Sequence, residues 1–158
     1  MNFNNLYEIN LPKSLTTIGT SSFSNTSISK LILPDNFISL GTNAFKNVTT
    51  LNEIYIPRSF KISNAYSFTG CTNLRKVYYE GTLEDWLNIK FAEQGNPTNN
   101  GASLFLQNKK LEGTVIIPDS ITHINTDALR GTLYITEIII PNSVVYIGTF
   151  AFLGCKNI

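Results

Sequence analysis

His123 is the only histidine of this 158-residue chain, and Cys71 and Cys155 are its only cysteines. Acid–base, nucleophilic or metal chemistry would have to run largely through these residues. A zinc site needs clustered Cys and His ligands, and His123 has none at ligand spacing. A serine nucleophile needs a histidine base. That base would be His123, and nothing near it marks a nucleophile. No glycine loop is present that could cradle a phosphate. Carboxylate pairs such as Glu84 and Asp85 read as solvated neighbours. The sequence therefore points away from an enzyme and offers no site for a cofactor or a metal. His123 itself reads as an exposed loop position. The tripeptides Asn25-Thr26-Ser27 and Asn47-Val48-Thr49 match the glycosylation acceptor pattern. Such matches arise by chance in a chain rich in Asn, Ser and Thr.

Composition narrows the partners. Apolar residues make up 42% and charged residues only 15%, with 12 Lys+Arg against 11 Asp+Glu. A net charge of +1 leaves no basic excess to neutralise a phosphate backbone, so nucleic acid is a poor partner. No apolar run approaches the roughly 18–20 residues needed to span a bilayer, which argues against direct membrane insertion. The apolar content also argues against disorder. Residues Met1 to Leu6 lack the charged and apolar regions of a signal peptide.

What must position any functional residue is a repeat. Pro12, Pro34 and Pro57 are spaced by 22 and 23, and Pro118 and Pro141 by 23. The gap of 61 between Pro57 and Pro118 holds one ordinary unit of 23 and one long unit of 38, with an anchor position at Glu80. The residues three and one before each anchor are apolar: Ile9/Leu11, Leu31/Leu33, Ile54/Ile56, Val77/Tyr79, Val115/Ile117 and Ile138/Ile140. This alternation predicts a short strand with one buried face, ended by a proline that has no N–H to give the ladder.

The columns after the anchor repeat as well. Six and seven places on stand Ile18-Gly19, Leu40-Gly41, Ser63-Asn64, Ile124-Asn125 and Ile147-Gly148. Gly and Asn tolerate positive φ, so the second of these columns predicts a left-handed corner. A threonine usually follows, which predicts the N-cap of a short helical turn. Ser63 replaces an expected apolar residue, and Ile62 sits one place early, which predicts a local backbone shift in that unit. Eleven places on stand Phe23, Phe45, Phe68, Leu129 and Phe152, the expected spine of a stack. A single unit cannot bury its own apolar face; stacked units can. Cys71 and Cys155 share the place fourteen after the anchor. Three steps of strand spacing put them roughly 14 Å apart, and a disulfide needs Cα atoms within about 7 Å. They are expected to be free, buried, small apolar fillers.

This pattern, clearest in Ile138-Ile139-Ile140-Pro141-Asn142-Ser143-Val144-Val145-Tyr146-Ile147-Gly148-Thr149-Phe150-Ala151-Phe152-Leu153-Gly154-Cys155, resembles the BspA-like leucine-rich repeat over residues 6–79 and 111–158. The resemblance implies a right-handed repeat solenoid, with short parallel strands on one face, short helical or 3-10 turns on the other, and one inserted helix. It also implies a cell-surface or secreted location and a role in adhesion, the partner being a protein or a host or extracellular-matrix ligand.

Residues 80–110 interrupt the series. Thr82 as N-cap and the acidic Glu84 and Asp85 in the first turn predict a helix, with Leu83, Trp86, Leu87 and Phe91 on one face. Gln94-Gly95-Asn96-Pro97-Thr98-Asn99-Asn100-Gly101 reads as a plain loop. Leu104-Phe105-Leu106 reads as a strand, and Asn108-Lys109 as a tight turn. By resemblance this is an irregular long repeat with a helix and a hairpin, embedded in one solenoid spanning 1–158. Trp86 reads as a core residue that seals the helix onto the stack.

The strand residues that point away from the core form two outward columns. Four before the anchors stand Glu8, Lys30, Glu53, Lys76, Thr114 and Glu137; two before stand Asn10, Ile32, Tyr55, Tyr78, Ile116 and Ile139. On a stacked sheet these predict one continuous face with an apolar, aromatic stripe, of the kind binding surfaces enrich. Ile32, Tyr55, Tyr78, Ile116 and Ile139 are the candidate partner-binding residues, with Tyr55 and Tyr78 as anchors. The preference of β-branched and aromatic residues for strands explains the same stripe without a partner, and both readings stand. The flanking Glu and Lys residues suit a polar or mixed-charge partner. A structural spacer presenting another domain is the alternative function. No polar cap follows the last unit, so the chain reads as a fragment of a longer array, with edges able to pair between copies.

Overall fold

The alternating segments before the anchors form short parallel strands in the structure, a computed structural model that describes residues 9–158. The strand expected around Leu6, and Glu8 with it, lie outside the described residues. In chain order the strands are β1 (Thr17–Ile18), β2 (Lys30–Ile32), β3 (Ser39–Leu40), β4 (Glu53–Ile56), β5 (Ile62–Ser63), β6 (Lys76–Tyr79), β7 (Lys90–Phe91), β8 (Ser103–Leu106), β9 (Lys109–Lys110), β10 (Gly113–Ile116), β11 (His123–Ile124), β12 (Ile135–Ile139) and β13 (Tyr146–Ile147). One α-helix, α1 (Leu83–Leu87), and a 3-10 helix, Pro97–Asn100, lie in the long repeat. The parallel ladders run β2-β4-β6-β8 and β1-β3-β5-β7, continued after the long repeat by β10-β12 and β11-β13. Each rung of this β-solenoid therefore has two strand sides, where the sequence suggested one. Outside the long repeat the turns between them are not assigned as helices. They are runs of three-residue hydrogen-bonded turns, such as Ser24 N to Ser21 O and Lys46 N to Asn43 O.

Like residues stack on like. Phe23 lies over Phe45 at 5.4 Å, and Phe45 over Phe68 at 5.9 Å, with planes within 11°. Phe37 stacks on Phe60 as a second column. Leu129 and Phe152 belong to the same core cluster, which runs the length of the solenoid. The phenylalanine column is thus stacked from Phe23 to Phe68; the register puts the buried Asn96 in the next place, and the common apolar core carries on to Leu129 and Phe152.

The left-handed corner is not where the glycines are. Gly19, Gly41 and Gly148 lack positive φ, and the left-handed residues lie two places later: Ser21, Asn43, Tyr66, Asp127 and Phe150. A second left-handed column holds Asn25, Asn47, Gly70, Gly131 and Gly154. The N–H groups of Ser21, Asn43, Tyr66 and Asp127 each donate to the next rung, so these residues turn the backbone donor along the stacking axis. Asn25 and Asn47 also stack through Asn47 Nδ2 and Asn25 Oδ1 at 3.2 Å, which accounts for both asparagines structurally. The glycine column answers to close approach instead. A Cβ on Gly41 would lie 2.5 Å from Gly19 C and from Thr20 N, both backbone atoms. Gly41→Ala should cost about 1–3 kcal/mol, the usual penalty of overpacking. A denaturation midpoint equal to that of the unchanged chain would refute this account.

The Ser63 unit shows no backbone shift. Ser63 pairs with Leu40 in register and is fully buried, its hydroxyl donating to Gly95 O at 2.7 Å. A serine is accommodated because the long repeat brings a carbonyl against it. Ile62 consequently points outward.

The long repeat follows its expected start but not its expected extent. Thr82 caps α1 in a reciprocal box with Asp85. Asp85 is no mere solvated neighbour: it accepts from Thr82 and pairs with Arg58 Nε at 3.0 Å. Burial pushes its carboxyl up, but the Thr82 bonds and Arg58 hold it below the usual range. The helix ends at Leu87, and Phe91 lies on β7, where it packs on Trp86 from a strand. The hairpin turn sits one residue early, at Gln107 and Asn108, both with positive φ.

Among the described residues no strand pairing joins the two halves across this repeat. Side chains take over. Asn96 Nδ2 donates to Asp127 O at 2.8 Å, Thr98 Oγ1 to Arg130 O at 2.6 Å, and Asn125 Nδ2 to Leu87 O at 3.0 Å. Trp86, fully buried, donates its Nε1–H to Ala128 O at 2.8 Å. Asp127 is buried beside Arg130 and accepts from Gln94 N; burial raises its carboxyl, and Arg130 opposes that rise.

Candidate binding face

Outward strand residues meet in register because parallel pairing places equal positions side by side. Ile32 pairs with Tyr55, Tyr55 with Tyr78, and Tyr78 with Phe105. The rings form a ladder: Tyr55 to Tyr78 at 4.6 Å and Tyr78 to Phe105 at 4.8 Å. Lys30 Nζ covers the Tyr55 ring at 4.7 Å from its centroid, a cation–π contact. Ring faces are therefore spent on one another, and the ladder offers a partner its edges and hydroxyls.

A charged row runs beside it. Glu53 lies between Lys30, at 3.9 Å, and Lys76, at 3.3 Å, and accepts from the Tyr55 hydroxyl at 3.1 Å. Burial pushes the Glu53 carboxyl up, yet the Tyr55 and Lys76 hydrogen bonds bring it below its ordinary value. Tyr55 is raised by burial and by its bond to that carboxylate. Glu53 offsets one of the two lysines, so among the described residues the surface beside the rings is polar with a single net positive charge.

The expected single stripe is divided. The antiparallel pair β8-β9 ends the first ladder, with Phe105 opposite Lys110. Ile116 and Ile139 pair with each other on the separate β10-β12 ladder and are both exposed. Clefts flank the hairpin. One of about 330 Å³ is lined by Tyr55, Tyr78, Glu80, Gln107 and Asn108. The other, of about 480 Å³, is lined by Leu106, Lys109, Lys110, Thr114 and Ile116. Phe105 was missing from the candidate set. Its place one past the core residue Leu104 could have found it, had the long repeat been aligned on that strand rather than on Glu80.

The residues considered for chemistry are placed otherwise. His123 lies on a strand, not a loop, exposed beside Tyr146 and within 2.9 Å of Thr122 Oγ1. Both cysteines are free. Cys71 is buried, donates to Phe45 O at 3.1 Å, and has its thiol pushed up to about 12 by burial. Cys155 is only half-buried, because it lies on the last rung. Among the described residues no cluster of three His, Cys, Asp or Glu side chains could hold a metal, and no helix is long and apolar enough to cross a membrane.

Stacked rungs, buried columns and an exposed strand ladder define a leucine-rich-repeat-type solenoid. The sequence profile of the BspA type leucine rich repeat region, six copies, matches residues 1–98 and 86–158, so the chain belongs to that family. Among solved structures it is similar to a leucine-rich repeat protein from Bacteroides ovatus ATCC 8483, at 23% identity and TM-score 0.51, covering 94% of this chain and 40% of that one. It is similar to the T. pallidum leucine rich repeat protein TpLRR, at 17% identity and TM-score 0.54, covering 94% and 76%. It is also similar to the pneumococcal vaccine antigen PcpA, at 15% identity and TM-score 0.57, covering 89% and 40%. No curated protein matches the chain.

Proposed function

We propose that this chain is a non-catalytic protein-binding module of a cell-surface or secreted protein, and that it binds through its strand face. The observation that supports the reading is the ladder Ile32, Tyr55, Tyr78 and Phe105, aligned in one row beside the paired charges of Lys30, Glu53 and Lys76 and a cleft. Such a surface gains by covering apolar edges while its hydroxyls fix orientation. Ile116 and Ile139 make a second, smaller apolar contact beyond the hairpin. The partner this suits is a protein segment of mixed polarity, and an extracellular-matrix or host protein is the reading family resemblance favours. Replacing Tyr55 and Tyr78 together with serine should weaken attachment to immobilised extracellular-matrix proteins by at least about tenfold, as expected for anchor residues. Circular dichroism should stay unchanged. Attachment that survives both substitutions would remove this face and leave the chain as a spacer.

A further inference from the structure

The strand face parts in the middle of the chain, between β9 and β10. In inner rungs the residues four and two places before the anchor bond to the rung before, as Tyr55 O does in accepting from Leu33 N at 3.0 Å. On β10 those places hold Thr114 and Ile116. Ile117 N donates to Ile139 O at 3.0 Å, so the ladder to β12 is made by Val115 and Ile117. Thr114 and Ile116 therefore turn their N–H and C=O groups the other way. The facing edge is equally bare. Leu111 N donates to Leu104 O at 2.8 Å, and Leu106 pairs with Lys109. Lys110 lies between these places, opposite Phe105, and turns its N–H and C=O away from β8. Among the described residues none of these backbone groups has a backbone partner.

Both bare edges line one cleft, the one of about 480 Å³. The half-buried Leu83, Leu106 and Leu111 and the buried Val115 line it too and make it apolar. Lys110 is already occupied: it pairs with Glu112 at 3.0 Å, and its Nζ covers the Tyr134 ring at 3.3 Å. Lys109 is exposed and has no ion pair among the described residues. A row of unpaired N–H and C=O groups on a sheet edge is a template for a further strand. Main-chain bonds along such an edge, with pockets for alternate side chains, are how extended peptides are held. The alternating donors and acceptors of β10 match a polypeptide backbone rather than a compact ligand.

We infer that an extended segment of a partner protein docks in this cleft by adding a strand to β10. Its apolar side chains, at alternate places, cover Leu83, Leu106 and Leu111, and an acidic side chain meets Lys109. The site is separate from the aromatic row, and neither depends on the other. The test selects random short peptides displayed on phage against the chain. Enriched peptides should alternate apolar and polar residues and carry an acidic one, and synthetic copies should bind in fluorescence anisotropy. Ile116→Pro removes the edge N–H but leaves the bonds of Val115 and Ile117 to β12, so it should weaken binding at least about tenfold. Ile116→Thr keeps the N–H and should bind much as the unchanged chain does. N-methylation of alternate peptide amides, in at least one of the two registers, should act like the proline on the unchanged chain, and it decides the matter if Ile116→Pro fails to fold. The double variant Tyr55→Ser, Tyr78→Ser should bind these peptides normally. Peptides that bind Ile116→Pro equally well, or that tolerate N-methylation in both registers, would overturn the inference. So would binding lost only in the tyrosine variant, which would assign the peptides to the aromatic row. A dimer of the unchanged chain that Ile116→Pro abolishes would give the cleft to a second copy and overturn it as well.

Discussion

Replacing Trp86 with alanine should cost about 3–5 kcal/mol, the range for removing a buried large aromatic side chain. Trp86 packs edge-on to Tyr79 at 5.3 Å and against Phe91 at 5.2 Å. Its loss leaves a cavity between α1 and the stack and takes a donor from the buried Ala128 carbonyl. The consequence reaches beyond one rung. No strand ladder joins the two halves here, and Trp86 is one of the few side chains that bridge them. Stability in a stacked array is a sum of rung and interface contributions, so a weakened interface uncouples neighbours. Denaturant unfolding followed by circular dichroism should therefore move to lower concentration and broaden or split into two steps. Trp86→Phe, which keeps most of the packing but not the N–H, should lose about 0.5–1.5 kcal/mol, the net worth of one hydrogen bond, because Asn96 Nδ2 still donates to the Ala128 carbonyl at 3.1 Å. A single unshifted transition in the alanine variant would show that the halves are joined by something else.

Phe45→Ala should be as damaging for a different reason. Phe45 is fully buried and sandwiched between Phe23 and Phe68, with interplanar angles of 11° and 6°. Truncation removes two ring contacts and opens a cavity between three rungs, at about 3–5 kcal/mol. At this chain length that corresponds to a fall of roughly 2–4 °C in melting temperature per kcal/mol. His123→Ala, on an exposed strand position, should stay within about 0.5 kcal/mol. Equal effects of the two substitutions, measured by thermal denaturation, would contradict a shared spine.

The regular units were readable residue by residue. The alternation at Ile54 and Ile56, the phenylalanine column and the Thr82 cap all appear in the structure where their spacing puts them. Each is a local pattern, and the repeat states it several times over. The glycine column was assigned to a backbone corner because glycine has two uses, positive φ and close approach. Only the position of the neighbouring rung distinguishes them, and Gly41 lies against Gly19 and Thr20. Ser63 looked like an irregularity because Gly95, its partner, is thirty-two residues away.

For the candidate face the same division holds. The sequence alone determined which strand residues face outward, since a period of two admits no other arrangement once Leu31, Ile54 and Val77 are buried. Which of them share a surface was decided by the long repeat. It has no second copy to be aligned with, and its contacts join it to residues far away in sequence, as Ser63 to Gly95 and Trp86 to Ala128. The hairpin β8-β9 separates Ile116 and Ile139 from Tyr55 and Tyr78, and Phe105 completes the aromatic row. Periodicity propagates from one unit to the next along the chain, whereas an interruption is placed by long-range packing, and only the folded stack reveals where the ladder stops.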